Sequence, residues 1–379
     1  MIVRHFLHWI RTALPAARAD ATGALARAYL YSDLSPDDRL AAEGAMIMQL
    51  DDPDPMVRRS LAEALAASPE APRPVILALG DDLPEIAAIV IERSPVFTEI
   101  ELVDLVGSGD LPVQLAVARR ADLPRSVSAA IAEVGAAEAC IALIENAEAD
   151  ILPFSIARML ERHGDLGAIR TGLLERKNLP AVSRQALVAK LSEILAGYVS
   201  ERDWLEPQRA EWAIREACEK ATVAVAADSV NTELTPLVQQ LSESGRLTPG
   251  LMLRALLCGN VDFFEQALVQ LSGLPPARVA ALVHDRHGTG LRALYSRAGL
   301  PESLYPAFRA ALAAIHEVGF LDEAGGRARL KRRMVERVLT LCAESPSNEV
   351  MPLLALLRRF ATEAAREEAR LLCHEPVAA

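Results

Sequence analysis

Apolar positions recur along the chain at helical spacing, in bursts of about ten residues broken by proline- and acid-rich turns. The clearest burst is DDPDPMVRRSLAEAL, residues 51–65, where Val57, Leu61 and Leu65 fall on one helical face. It returns in looser form as DDLPEIAAIVIE (81–92), GDLPVQLAVARR (109–120), ADILPFSIARML (149–160) and KNLPAVSRQALVAKL (177–191). The aligned prolines, Pro55, Pro84, Pro112, Pro153 and Pro180, are spaced by 29, 28, 41 and 27 residues. An acid or amide precedes each by two or three positions: Asp52, Asp82, Asp110, Asp150 and Asn178. Each is expected to cap its helix by accepting from a free backbone N–H. Second helices fall between the phrases, at PRPVILAL from Pro72, SPVFTEIELVDLV from Ser94 and LPRSVSAAIAEV from Leu123. The 41-residue step leaves room for one extra helix, AAEACIALIENA. With no sustained alternation of apolar and polar residues, the pattern predicts an all-α fold. Short helix pairs stack as an α-solenoid, because one pair cannot bury its apolar face alone.

The run Asp-Pro-Asp-Pro-Met-Val-Arg-Arg-Ser-Leu-Ala at 52–62 resembles HEAT-type repeats, particularly their shorter variants, and the likeness extends from residue 51 to about 195. That resemblance implies a curved right-handed stack of antiparallel helix pairs. It also implies a protein-binding role, or in a few members a nucleic-acid-binding one. Further on, Gly259-Asn260 with Phe263-Phe264 and the run Gly290-Leu291-Arg292-Ala293-Leu294-Tyr295 are similar to a family of uncharacterised α-proteobacterial proteins. The likeness implies a helical-repeat protein with no settled activity.

Four segments are expected: an N-terminal helical segment (1–50), the HEAT-like repeat domain (51–200), a C-terminal helical domain (201–320) and long C-terminal helices (321–379). In the first, Ile2, Val3, Phe6, Leu7, Trp9 and Ile10 give a short amphipathic helix suited to docking on the body. Peripheral membrane contact is its lesser alternative. In the last, Leu330, Met334, Val338 and Leu341 form an apolar seam that suggests self-association.

Charge narrows the functions. Residues 1–200 hold 19 Lys and Arg against 28 Asp and Glu, and residues 201–379 hold 21 against 23. Neither half has the basic excess a phosphate-backbone binder shows, so nucleic acid is disfavoured. The five cysteines are scattered and form no C-x-x-C pair, which fits reduced core residues in the cytoplasm. No run of residues is long and apolar enough to span a membrane.

Candidate binding residues are the repeat arginines Arg58, Arg59, Arg119, Arg120, Arg158 and Arg184, which stacking would bring near one another. A basic run, Arg327, Arg329, Lys331, Arg332 and Arg333, joins them as a surface for an acidic partner. Within an acidic half, local pairing of the repeat arginines competes with that use. His284, Asp285, His287, Arg292 and Tyr295 form a candidate polar or ligand site. His284 and His287 lack a third metal ligand, so no metal, cofactor or catalytic set is predicted. The sequence therefore points to a non-enzymatic scaffold or adaptor that holds another protein. A nucleic-acid-binding repeat protein and a small-molecule or second-messenger sensor in bacterial signalling are the alternatives.

Overall fold

A computed structural model of the chain describes all residues except 1–5, 7, 11, 177–178, 202–205, 286–288, 319–331, 333, 341–350 and 375–379. The described residues are helical, with no strand among them. They cluster into two compact units, Met1–Leu179 and Pro180–Ala379.

The first unit contains α1 (Pro15–Tyr31), α2 (Pro36–Gln49), α3 (Pro55–Leu65), α4 (Arg73–Gly80), α5 (Pro84–Arg93) and α6 (Glu99–Ser108). It continues through α7 (Leu111–Ala118), α8 (Arg125–Val134), α9 (Ala137–Glu145), α10 (Pro153–His163) and α11 (Gly167–Glu175). Proline stands at the first or second position of α1 to α5, α7 and α10. There its fixed φ suits the helix and its missing N–H costs nothing. The helices pack on their second neighbours. Those with odd numbers, α1, α3, α5, α7, α9 and α11, form one continuous row. In the other row α2 meets α4, and α6, α8 and α10 follow one another.

Each short helix buries about four side chains: Val57, Leu61, Ala62 and Leu65 in α3, and Ile86, Ala87, Val90 and Ile91 in α5. At ~2 kcal/mol apiece, such burial falls short of the ~1–2 kcal/mol per residue spent ordering the backbone. Neighbours on both sides are therefore part of each helix's stability. The extra helix in the 41-residue step is α9, and it flips the parity of the stack. As a result, the phrase at Pro153 opens a helix of the even row, whereas those at Pro55, Pro84 and Pro112 open helices of the odd row.

The acids before the prolines mostly do other work than capping. Asp54, not Asp52, caps α3 by accepting from the Met56 N–H at 3.0 Å. Asp110 occupies the cap position of α7 without a side-chain bond, and Asp150 pairs with Arg125 instead. Asn178 lies outside the described residues. The helix predicted from Ser94 begins later, at Glu99, where Thr98 and Glu101 form a reciprocal capping box.

In the second unit, α12 (Ala181–Glu201) and α13 (Pro207–Ala227) form a long pair. After them come α14 (Asn231–Glu243), α15 (Pro249–Leu257), α16 (Val261–Ser272), α17 (Pro276–Val283), α18 (Thr289–Arg297), α19 (Tyr305–Val318) and α20 (Met351–His374). Helix α16 is central and packs on α14, α15, α17 and α18. Its Phe263 and Phe264 are fully buried, and Phe264 stacks on Phe308 with centroids 5.4 Å apart. Of the predicted C-terminal seam, Met334 and Val338 are buried, while Leu330 and Leu341 lie outside the described residues.

Helix α20 buries Leu357, Phe360 and Ala364 against this same unit. Arg254 of α15 is nearly inaccessible beneath it. That guanidinium lies 2.7 Å from Glu363, 3.3 Å from Glu216 and 4.3 Å from the Phe360 ring centroid. Arg359 lies over the Trp212 ring and bonds Glu216 at 2.8 Å. A charge that deeply placed is tolerable because three carboxylates and a ring face surround it.

Candidate functional site

Two sets of side-chain bridges hold the odd row in step. At the helix starts, Arg18 of α1 donates twice to Asp52 before α3, both at 2.8 Å. Arg58 of α3 repeats the arrangement with Asp82 before α5, at 2.7 and 3.0 Å, and also donates to the Asp52 carbonyl at 2.6 Å. Burial pushes the carboxyls of Asp52 and Asp82 up. The arginine and backbone N–H bonds outweigh it and hold both below the ordinary range.

At the helix ends, a residue just after each of α7, α9 and α11 ties down carbonyls at the end of the preceding odd-row helix. Arg120 after α7 donates to the carbonyls of Ile91 and Ser94, the latter at 2.8 Å. Asn146 after α9 donates to Ala118 and Arg120 carbonyls at 3.0 and 2.7 Å. Arg176 after α11 donates to Ile144, Asn146 and Ala149 carbonyls at 2.8, 2.9 and 2.7 Å. These carbonyls are the acceptors a helix C-terminus leaves unsatisfied. Arg120 and Arg176 are held by carbonyls rather than carboxylates, and burial pulls both guanidinium pKa values down.

The helices of the odd row therefore run parallel with their starts side by side. That edge displays apolar side chains: Leu14 is 76% exposed, Met56 53%, Leu83 48%, Leu111 38% and Leu166 45%. Each sits at or next to the first residue of its helix. Between them stand the exposed carboxylates of Asp51, Asp81, Glu85 and Asp110, which make no ion pair among the described residues.

The repeat arginines do not gather on one open face. Arg58 is committed to Asp82, Arg158 to Glu133 and Glu161 at 2.8 and 2.6 Å, and Arg184 lies 3.7 Å from Glu233. Arg59 is exposed and pairs with Glu63 one turn on. Arg119 is exposed beside buried Arg120, on a hollow of about 540 Å³ that also holds Arg93, Glu92, Glu99 and Asp122. Of the basic C-terminal run, Arg332 is exposed and bonds Glu336 at 2.8 Å. Arg327, Arg329, Lys331 and Arg333 lie outside the described residues, as does His287.

The polar group around residue 290 is divided. His284 follows the last residue of α17, with Nε2 2.8 Å from Glu265 and its ring 6.0 Å from that of His316. Arg292 donates to Glu302 at 2.8 Å and lies over Tyr305. Tyr295 is a core residue whose hydroxyl donates to the Pro301 carbonyl at 2.8 Å, and burial pushes its pKa far up. Among the described residues, no group of three His, Cys, Asp or Glu side chains is placed to hold a metal ion.

A deeper feature lies where the sequence raised no flag. One face of α12 (Gln185, Ala189, Ser192, Glu193 and Ala196) looks across a cleft of about 680 Å³ at one face of α13. The α13 wall is Glu211, Ile214, Arg215, Cys218, Glu219 and Thr222. The end of α14, the start of α15 and the connection between them close the third side with Leu241, Leu251 and Arg246 respectively. Gly245, at φ +65°, supplies the left-handed turn that carries the connection round. Arg246 then reaches Glu193 across the opening at 3.1 Å. The available signal was polar residues on the mutually packed faces of two long helices, above all Gln185 and Thr222.

These features define an all-α protein with a bridged double row of short helices in one unit and a polar-lined cleft in the other. Residues 86–347, more than two thirds of the chain, match the DUF2336 family, described as uncharacterised proteins conserved in bacteria, and the chain belongs to that family. No curated protein and no solved structure matches it. No described helix is long and apolar enough to cross a membrane.

Proposed function

We propose that the protein is a non-enzymatic interaction scaffold of the bacterial cytoplasm. In this reading its first unit is a HEAT-like solenoid that holds another protein along the edge formed by the odd-row helix starts. The observation that carries this is the line of Leu14, Met56, Leu83, Leu111 and Leu166, exposed and interleaved with carboxylates that make no ion pair among the described residues. An apolar stripe with charged flanks that lines up across successive repeats is how an extended stack sums small contacts. The chemistry it fits is a basic segment with an apolar face, since the edge carboxylates would repel nucleic-acid phosphates. Reduced thiols at Cys140, Cys218 and Cys258 fit the compartment.

The test is crosslinking in cells followed by quantitative mass spectrometry, comparing the wild type with Met56→Asp/Leu83→Asp/Leu111→Asp. A stoichiometric partner that disappears with the triple variant, and persists when the still more exposed Leu174 of α11 is changed to Asp, supports the reading. No stoichiometric partner, or one indifferent to the triple variant, overturns it.

A further inference from the structure

We propose that α13 and α15 form a docking groove for one amphipathic helix in a fixed register, and that α20 is a releasable strap filling it within the chain. The occupant this groove fits is a partner helix with an arginine, an aromatic at the next position and an acid four residues after the arginine. Helix α20 carries that code as Arg359, Phe360 and Glu363. Its apolar stripe, Leu354, Leu357, Ala361 and Ala364, falls at i, i+3, i+7 and i+10, the spacing of a helix laid in a groove.

Charge sets the register. Arg359 lies over the Trp212 ring and bonds Glu216 of α13 at 2.8 Å, while Glu363 reaches Lys220 of α13 at 3.1 Å. A step of four on α13 thus matches a step of four on α20, and the two helices run the same way. Arg254 of α15 reads the same acid from beneath, 2.7 Å from Glu363 and with the Phe360 ring against it. Sliding α20 one turn either way would set Glu363 against Glu216, or Arg359 against Lys220 and Arg254, so like charges would meet. An ion pair this buried adds little strength over well-packed apolar side chains, and selection of one register is the use it has here.

The same guanidinium makes the strap separable. Lifting α20 removes Glu363 and Phe360 from Arg254 but leaves it Glu216 at 3.3 Å and Glu219 at 3.9 Å, both on α13. The open groove therefore holds no stranded charge. The outer rungs are already partly wet, with the Arg359 side chain 38% exposed and that of Lys220 48%. Beyond Ala364 no described residue of α20 is buried, and Arg366, Ala369 and Arg370 are exposed.

The experiment titrates the full chain with a fluorescein-labelled peptide of residues 351–374 and reads anisotropy. Two strap variants are compared with the wild type: Arg359→Glu/Glu363→Lys reverses the code, and Phe360→Ser leaves the charges alone. Both should bind the peptide about tenfold tighter than the wild type or more, because the strap no longer fills the groove. Hydrogen exchange should show α16 as protected in both variants as in the wild type, whose α20 amides should exchange faster than those of α16. A peptide with Arg359→Glu/Glu363→Lys should lose binding to the Phe360→Ser chain. One with Arg358→Glu/Arg366→Glu, changed at exposed positions, should keep it. The proposal is overturned if neither strap variant binds the peptide, if the code-reversed peptide binds as well as the native one, or if the exposed reversals abolish binding equally. It is overturned too if α16 loses protection when the strap is lifted, or if α20 in the wild type exchanges no faster than α16. Leu83→Asp in the first unit leaves these readouts unchanged, so this proposal and the edge reading fail separately.

Discussion

Replacing Arg58 by methionine removes one rung of the bridge between α3 and α5 while keeping the aliphatic bulk of the side chain. The change deletes two bonds to Asp82 and one to the Asp52 carbonyl. It leaves the Asp82 carboxylate, only 11% exposed, with the Leu83 N–H at 2.6 Å as its remaining bond. Breaking a buried pair by removing one partner costs ~3–5 kcal/mol, and proton uptake by the stranded acid places this case near the lower end. We expect a loss of about 3 kcal/mol, a factor of ~100 in the local opening equilibrium.

Asp82→Asn should cost less, and the double variant should recover about 2 kcal/mol of the summed losses, because neither partner is then left charged. Hydrogen exchange read by mass spectrometry places the effect. Amides of α3 and α5 should exchange faster and those of α9 and α11 should not, since each helix leans on its neighbours alone. The pH dependence has a definite sign. Asp82 titrates lower in the fold than the ~3.9 of an unfolded chain, so the pair's stabilisation is complete above that value. It is lost as the pH falls through the lower folded value, and the penalty of Arg58→Met should shrink with it. A coupling below about 0.5 kcal/mol, or faster exchange spread evenly over the unit, would refute the picture of a paired rung.

Asn146→Ala removes the donations to the Ala118 carbonyl at the end of α7 and the Arg120 carbonyl just beyond it, and the acceptor for the Glu148 N–H at 3.1 Å. It should cost about 2 kcal/mol in a denaturant melt and loosen α7 and α9 together. Phe264→Ala empties the centre of the second unit and should cost about 3–5 kcal/mol, read from the transition of that unit. Burial pushes the Cys140 thiol up to about 11. A disulfide reagent at pH 8 should therefore label Cys218 in the native protein and reach Cys140 only after unfolding. The Glu265 carboxyl is raised, chiefly by burial and further by Asp262, against the pull of His284. Its stability contribution is present at low pH and lost as pH rises through the folded value. Glu265→Gln should therefore raise the melting temperature at pH 8 and lose its advantage in acid.

The helical bursts and their proline starts were readable in the chain because both are local. A fixed φ at Pro55 or Pro84 and apolar residues four apart need no tertiary information. The roles of Asp52 and Asp82 were not readable in this way. A carboxylate two residues before a helix looks like a cap, and only the parallel packing of α1, α3 and α5 sets an arginine against it. The same holds for Arg120, Asn146 and Arg176, whose partners are carbonyls 26 to 32 residues earlier. Parity also hid from the pattern: α9 moved the Pro153 phrase into the other row without altering its letters. The cleft was harder still. Gln185 and Thr222 read as ordinary polar positions on long helices until the two faces are seen to meet.

The bridges at the helix ends have a direction. Carbonyls at the end of α5 are satisfied by Arg120, those of α7 by Asn146 and those of α9 by Arg176, always by a residue further along the chain. During synthesis each of these helix ends therefore waits for about 30 more residues before its last acceptors are filled. Each of α7, α9 and α11 brings with it the residue that locks the end of an odd-row helix already made. A chain ending just before Arg120, Asn146 or Arg176 would leave the last acceptors of α5, α7 or α9 unfilled.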